Sequence, residues 1–274
     1  MNQLDAKRVQ TMSPFLERTL VVDASAPAAR LMTELLRDIW PGQAWTAATT
    51  ERALALAERV DPGLILVEHS GEGLDGLVFT RRLRRSILVC RTAPVIMVTA
   101  TATAAAILGA RDAGVHEFLR KPFTNADLVR RVEAVTLQPR PWIEATGYVG
   151  PDRRRFNSAN FMGKRKRRTD PLNRAGPEQE RIGQAIRIVV SAAKSVESEP
   201  FQAARALNVQ ATELAEAAAA IKDSALAHAA GALQRYLASV ADGARLTREG
   251  VQAHADRLMA FLPKDAKDAA RTAA

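Results

Sequence analysis

The residue of this 274-residue chain with the clearest chemical potential is Glu68, an acid that closes the aliphatic run Leu64-Ile65-Leu66-Val67 and opens the glycine-rich loop His69-Ser70-Gly71-Glu72-Gly73-Leu74-Asp75-Gly76. Four consecutive aliphatic residues read as a strand buried on both faces, the pattern of a parallel sheet's centre. In open α/β sheets chemistry collects at the carboxyl ends of the strands, so Glu68 stands where a reactive acid would stand. A second acid, Asp23, ends the run Leu20-Val21-Val22 in the same way. His69 beside Glu68 suggests acid-base chemistry, but strand alternation turns neighbours to opposite sides, and His69 reads as a loop histidine. No Gly-x-Gly-x-x-Gly follows the first strand and no Gly-x-Ser-x-Gly elbow is present, which argues against a dinucleotide site and a serine hydrolase. His and Cys have no metal-ligand spacing.

The elements that would carry these acids alternate regularly from Thr19 onward. After the first strand, Ser25-Ala26-Pro27 opens a helix, with Ser25 as cap and Pro27 in the first turn. Its expected apolar face is Leu31, Leu35, Leu36 and Ile39, and Pro41-Gly42 ends it. A short strand over 44–48, a helix over 51–60 and the turn Asp61-Pro62-Gly63 lead to the central strand. Then come a helix over 77–85, a strand over 94–99, an Ala-rich helix over 102–113 stopped by Gly114, a short strand over 116–119 and a helix from Asn125 with Leu128, Val132 and Val135 inward. Five such repeats predict an α/β fold, a doubly wound five-stranded parallel sheet with right-handed crossovers. Residues 1–17 predict a short helix (Leu4, Val9, Met12, Leu16 on one side) preceding the domain as an arm.

From Thr19 to Val135 the chain resembles the receiver domain of two-component response regulators. In that family the third strand ends in a phosphoryl-accepting Asp, and an Asp-Gly pair follows seven and eight residues later. Here Asp75-Gly76 keeps that spacing, and Glu68 occupies the acceptor position. The resemblance assigns Asp23 to one acid of the metal-binding pair and Thr99 to the hydroxyl that contacts the phosphoryl group. It makes Lys121-Pro122 the phosphoryl-pairing lysine with its cis-proline neighbour, and Phe118 the aromatic that turns inward on activation. Ala24 replaces the second metal acid. Mg²⁺ needs hard oxygen ligands, so losing that acid weakens the expected metal site, and no other cofactor is expected. The extra methylene of Glu68 moves its carboxylate outward by ~1.5 Å, and misplacement of about 1 Å costs ~10²-fold in rate. The longer acid is instead expected to approach Lys121 and Thr99 as a phosphoryl oxygen would, with less charge than the roughly −1.5 to −2 of a phosphate.

The basic excess of the chain, +9 in all, is concentrated after the receiver-like region: +2 over 1–138, +7 over 139–175 and 0 over 176–274. That places a local anion-binding or linker feature there. It holds Pro139-Arg140-Pro141-Trp142, then Gly147-Tyr148-Val149-Gly150-Pro151-Asp152-Arg153-Arg154-Arg155-Phe156, then Lys164-Arg165-Lys166-Arg167-Arg168. The Gly-Pro-Asp-Arg-Arg-Arg segment resembles the tail of a group of proteobacterial receiver proteins. Arginines beside Tyr148 and Phe156 could clamp phosphates and stack on bases, making a nucleic acid or cyclic dinucleotide one partner class. An ordered wrap over acidic receiver surface is the other reading.

From Gly176 the chain turns Ala-rich with four amphipathic stretches. Their apolar markers are Ile182, Ile186, Val189, Val190, Ala193 and Val196; Leu207, Leu214, Ala218 and Ile221; Leu226, Leu233, Leu237 and Val240; and Val251, Leu258, Phe261 and Leu262. They predict a small all-α bundle or interaction module. His228 has Gly231 three residues on and no following lysine, unlike the histidine-phosphotransfer motif, so His228 and His254 read as core or surface histidines.

The expected organisation is an arm (1–18), a receiver-like domain (19–138), a basic linker or wrap (139–176), a helical interaction domain (177–263) and a tail (264–274). The expected function is regulatory rather than enzymatic: an atypical receiver acting by protein–protein contact, without normal Asp phosphorylation. Its partners would be a histidine kinase or a downstream target, docking on the fourth helix, fifth strand and fifth helix of the receiver-like domain. One cysteine, Cys90, no apolar run near the ~20 residues of a membrane span and no signal-peptide pattern at the start suit a cytoplasmic protein.

Overall fold

The computed structural model describes residues 6–40, 42–153 and 177–262, and the described residues form two compact units. One draws on Met1–Ile143 and Tyr148–Asn160, the other on Glu144–Gly147 and Phe161–Ala274.

The first unit runs α1 (Ala6–Leu16), β1 (Arg18–Val22), α2 (Ala26–Ile39), β2 (Gln43–Ala47), α3 (Thr50–Val60) and β3 (Leu64–Glu68). A small hairpin, β4 (Ser70–Gly71) with β5 (Leu74–Asp75), leads into α4 (Gly76–Arg85) and a 3₁₀ turn (Val89–Thr92). β6 (Val95–Thr99), α5 (Ala104–Ala113), β7 (Glu117–Arg120) and α6 (Asn125–Leu137) complete the alternation. The five strands lie in the order β2-β1-β3-β6-β7, all parallel, so the expected doubly wound sheet forms. Each strand alternates its side chains between two layers. Leu20, Val22, Ile65, Val67, Val95 and Met97 pack with Leu56, Phe79, Leu83 and Ala110. Val21, Leu64, Leu66, Ile96 and Val98 pack with Met32, Leu36, Leu128 and Val132. Burying a side chain of this kind stabilises by ~1.5–3 kcal/mol, which is why runs aliphatic on both faces sit at the centre.

Three details differ from the sequence expectation. The N-terminal helix is no detached arm in its described part, because Met12 and Leu16 are buried in the second layer and α1 packs on α6. The face of α2 is rotated: Ala29, Met32 and Leu36 are buried, whereas Leu31 is 57% exposed. The last strand is shifted one residue, starting at Glu117, because His116 turns inward as a buried polar group. Beyond α6, β8 (Trp142–Glu144) pairs with β9 (Val149–Pro151).

The second unit holds α7 (Pro177–Ser195), α8 (Pro200–Ile221), α9 (Ser224–Ala241) and α10 (Arg248–Met259). Each helix packs on the next and α10 returns to α7, which makes a four-helix bundle. Alanines 203, 206, 211, 217 and 218 are buried, so α8 approaches its neighbours through small side chains. The ends are chemically marked: Pro200 in the first turn of α8, Asp223 capping α9 and Thr247 capping α10. Ile221, expected inside, is 40% exposed at the end of its helix. Glu144 belongs to this unit and is buried, accepting a 3.0 Å hydrogen bond from Gln202 Nε2.

Candidate functional site

Parallel strands bring their carboxyl ends to one edge, and the residues that follow β1, β3, β6 and β7 gather there. Lys121 is tied to that edge by its N–H, which bonds Thr99 O at 2.8 Å, and the Lys121-Pro122 peptide is cis. Its ammonium reaches back to two carboxylates. It donates to Asp23 Oδ2 at 3.2 Å and makes a short hydrogen bond to Glu68 Oε2. The other oxygens are also engaged: Glu68 Oε1 accepts the His69 N–H at 2.9 Å, and Asp23 Oδ1 accepts the Ser25 N–H at 2.8 Å. All three side chains are largely sheltered, at 12% exposure for Asp23, 14% for Glu68 and 29% for Lys121. Burial pulls the Lys121 ammonium down, but the Glu68 and Asp23 carboxylates outweigh it, and the net shift is upward from the ordinary lysine value.

The structure thus brings Asp23, Glu68 and Lys121 into one cluster. Thr99 is buried at the end of β6, with its Oγ1 accepting the Thr101 N–H at 3.1 Å, so its oxygen serves its own loop. Phe118 is partly buried against the core layer on the α3–α5 side. Asp75 caps α4, its Oδ1 accepting the Leu77 and Val78 N–H groups at 2.9 Å. A Cβ built on Gly71 would lie 2.5 Å from the Ala24 Cβ, so the β4–β5 hairpin packs closely against Ala24.

For a divalent cation this donor set fits poorly. A hard-cation site needs several carboxylate or carbonyl oxygens free to converge. Here the two carboxylates turn their oxygens to one ammonium and to backbone N–H groups.

A second polar construction, at the opposite edge of the sheet, had no sequence reading. Arg84 lies in the run Arg81-Arg82-Leu83-Arg84-Arg85, yet it is 1% exposed. Its Nε donates to Gly114 O at 3.0 Å and its Nη1 to Ala93 O at 2.9 Å, and the guanidinium lies 5.3 Å from the Trp142 ring centre. Burial pulls it down to about 9, still protonated at neutral pH. Its Nη2 lies 3.2 Å from His116 Nδ1, which also accepts the Val95 N–H at 3.2 Å, so the His116 ring is neutral. The signal was legible in principle, since Gly76, Phe79, Thr80, Leu83 and Arg84 share the buried face of α4 at helical spacing.

The first part of the basic segment is the lid of this edge. Arg140 donates to His116 O, Tyr148 Oη donates to Pro151 O at 2.6 Å, and Tyr148 is buried. Arg153 stacks 4.1 Å from the Tyr148 ring centre and pairs with Asp112 at 2.6 Å. Of the candidate anion-binding residues, Arg153 is therefore engaged within its own unit. Arg154, Arg155, Lys164, Arg165, Lys166, Arg167 and Arg168 lie outside the described residues. In the bundle, His228 is exposed on α9 and His254 packs 5.2 Å from the Tyr236 ring.

Residues 19–133 match the response regulator receiver domain family. Among curated proteins, the chain is 32% identical over 127 residues to the DNA-binding response regulator MtrA of Mycobacterium tuberculosis, covering 45% of this chain and 52% of MtrA. It is 27% identical over 118 residues to the chemotaxis protein CheY-3 of Vibrio cholerae, covering 43% of this chain and 90% of CheY-3. The chain spans about half the length of the MtrA relatives it matches. A solved structure of a putative response regulator from Chloroflexus aurantiacus aligns at 27% identity with a TM-score of 0.42, over 44% of this chain and 98% of its own. By its domain match and its relatives, this chain is similar over residues 19–133 to the response regulator receiver domain.

Proposed function

We propose that this receiver works without phosphorylation, as a regulatory adaptor of a two-component pathway. The observation that carries the reading is the closed cluster in which Lys121 is already bonded to Glu68 and Asp23. The partner that a phosphoryl oxygen would take is supplied by the protein's own carboxylate. Glu68 is displaced from the position of an aspartate by one methylene, and Ala24 lies under the hairpin where a second acid would stand. In-line phosphoryl transfer depends on position and charge neutralisation, and both are compromised here. No enzymatic step is assigned to the chain. Its partners are a histidine kinase or a downstream signalling protein, docking on the face of α5, β7 and α6, where Ile107 and Leu108 are 42% and 48% exposed.

The test is labelling with acetyl phosphate and with a cognate kinase. The expected result is no acyl phosphate on Glu68 or Asp23, and partner affinity that falls in Glu68→Gln, which keeps the shape and removes the charge. Glu68→Asp alone is expected to stay poorly labelled, and labelling should rise only when Ala24→Asp accompanies it. Robust labelling of the wild-type chain overturns the proposal.

A further inference from the structure

The connection from α4 to β6 reads Arg81-Arg82-Leu83-Arg84-Arg85-Ser86-Ile87-Leu88-Val89-Cys90-Arg91-Thr92, with five arginines and no acid. Its inward residues are fully used. Leu83 and Cys90 join the core, Leu88 packs on it, and Cys90 Sγ lies 3.3 Å from Ala57 O. Short hydrogen-bonded turns hold the tip: Ser86 N–H to Leu83 O at 3.1 Å, Leu88 N–H to Ser86 Oγ at 3.2 Å and Ala93 N–H to Cys90 O at 3.0 Å. The alternation that buries Leu88 and Cys90 forces Ile87 and Val89 outward, at 92% and 81% exposure. Arg81 and Arg85 are exposed on the helix just before them, and Arg82 is exposed there in an ion pair with Glu51. Arg91 lies 5.4 Å from the Trp142 ring centre, so the basic segment starts beside this tip. The tip precedes the first residue of β6, whereas Thr99 ends that strand. It therefore lies at the edge of the sheet opposite Glu68 and Lys121.

Two aliphatic side chains held almost wholly in water, flanked by a cluster in which arginines outnumber the one paired acid, Glu51, call for a partner that is anionic and apolar at once. A phosphodiester backbone would take the arginines and offer nothing to Ile87 and Val89. A bilayer surface with anionic headgroups offers both within a few ångströms of depth. The tip is already ordered, so seating it there costs little conformational entropy. We propose that this edge of the receiver unit docks on an anionic lipid surface, with Ile87 and Val89 entering the headgroup–acyl boundary and Arg81 and Arg85 facing the lipid phosphates. No described helix is long and apolar enough to cross a membrane, and the contact proposed is peripheral. It leaves the Glu68 edge open to protein partners and does not depend on the phosphorylation reading.

The full chain is to be sedimented with vesicles of phosphatidylcholine alone and with vesicles containing about one third phosphatidylglycerol. A second readout uses Ile87→Cys carrying an environment-sensitive fluorophore. Cys90 does not compete for the label, being buried with its thiol pushed up to about 11. Binding is expected to the anionic vesicles only, with a blue shift of the probe. Ile87→Ser with Val89→Ser, two changes at exposed positions that keep every charge, should lower affinity by about tenfold or more. Absence of binding to anionic vesicles at low salt overturns the proposal. So does binding that the double serine variant leaves unchanged, or a probe that does not shift, since either means adhesion through other basic residues. Retention on duplex DNA without vesicle binding overturns it in favour of nucleic acid.

Discussion

Arg84 and His116 share one hydrogen-bonded network. Arg84→Met would leave the carbonyls of Gly114, Arg91 and Ala93 without their donor in a dry site. We expect a loss of about 3–5 kcal/mol in urea unfolding of the receiver unit. Arg84→Lys should recover little of it, because an ammonium cannot span the forked set of acceptors. Burial, then the Arg84 and Arg140 charges, hold the His116 imidazole well below its ordinary value. A base whose folded pKa is depressed contributes stability that is fully present above its unfolded pKa, about 6.5. That contribution is lost progressively as pH falls from there toward the depressed folded value. The midpoint of urea unfolding should therefore decline from about pH 6.5 downward, and His116→Asn should flatten the decline. An equal decline in the variant would assign the effect to other groups.

The lid over the lower edge depends on close backbone approach. Gly114 has φ +91, and a Cβ there would lie 2.7 Å from Val149 O. Gly114→Ala should therefore strain the α5 cap and lift β9, at about 1–3 kcal/mol. Trypsin cleavage after Arg153 should accelerate. Arg153→Ala removes a solvent-exposed ion pair and the contact of a half-exposed guanidinium with the Tyr148 ring, so it should cost only about 1 kcal/mol. If the charge change loosens the lid more than the glycine change does, electrostatics and not fit holds it.

Across the whole molecule, the bundle is expected to be an independent folding unit with one dependence on the chain before it. Gln202 and Gln210 are buried and donate to the Glu144 side chain and carbonyl. A fragment of residues 177–262 should be helical by circular dichroism, and a fragment starting at 140 should be more stable by about 1–3 kcal/mol, the cost of leaving such amides unpaired. Equal stability of the two fragments would remove Glu144 from the bundle's energetics. No phosphate is expected on the exposed His228 when a phosphorylated receiver is supplied.

The parallel sheet and the edge that holds Asp23 and Glu68 were legible in the sequence because they follow from local patterns, and the resemblance to receivers added Lys121. Aliphatic runs must be buried on both faces, and parallel strands must deliver their last residues to one side. The four bundle helices were legible for the same reason, from apolar spacing alone. What depended on tertiary structure was the use of polar groups. Arg84 looks like surface charge among arginines until Gly114, Ala93 and Trp142, remote in sequence, close around it. The engagement of Glu68 by Lys121 was expected, but the hairpin resting on Ala24 and the turn of Thr99 toward its own loop were not. The basic segment announced only its charge, and the fold decided that Tyr148 and Arg153 serve as a lid. A hydrophobic pattern is read locally because water is its partner everywhere, whereas a buried polar group is defined by partners that only the folded chain brings near.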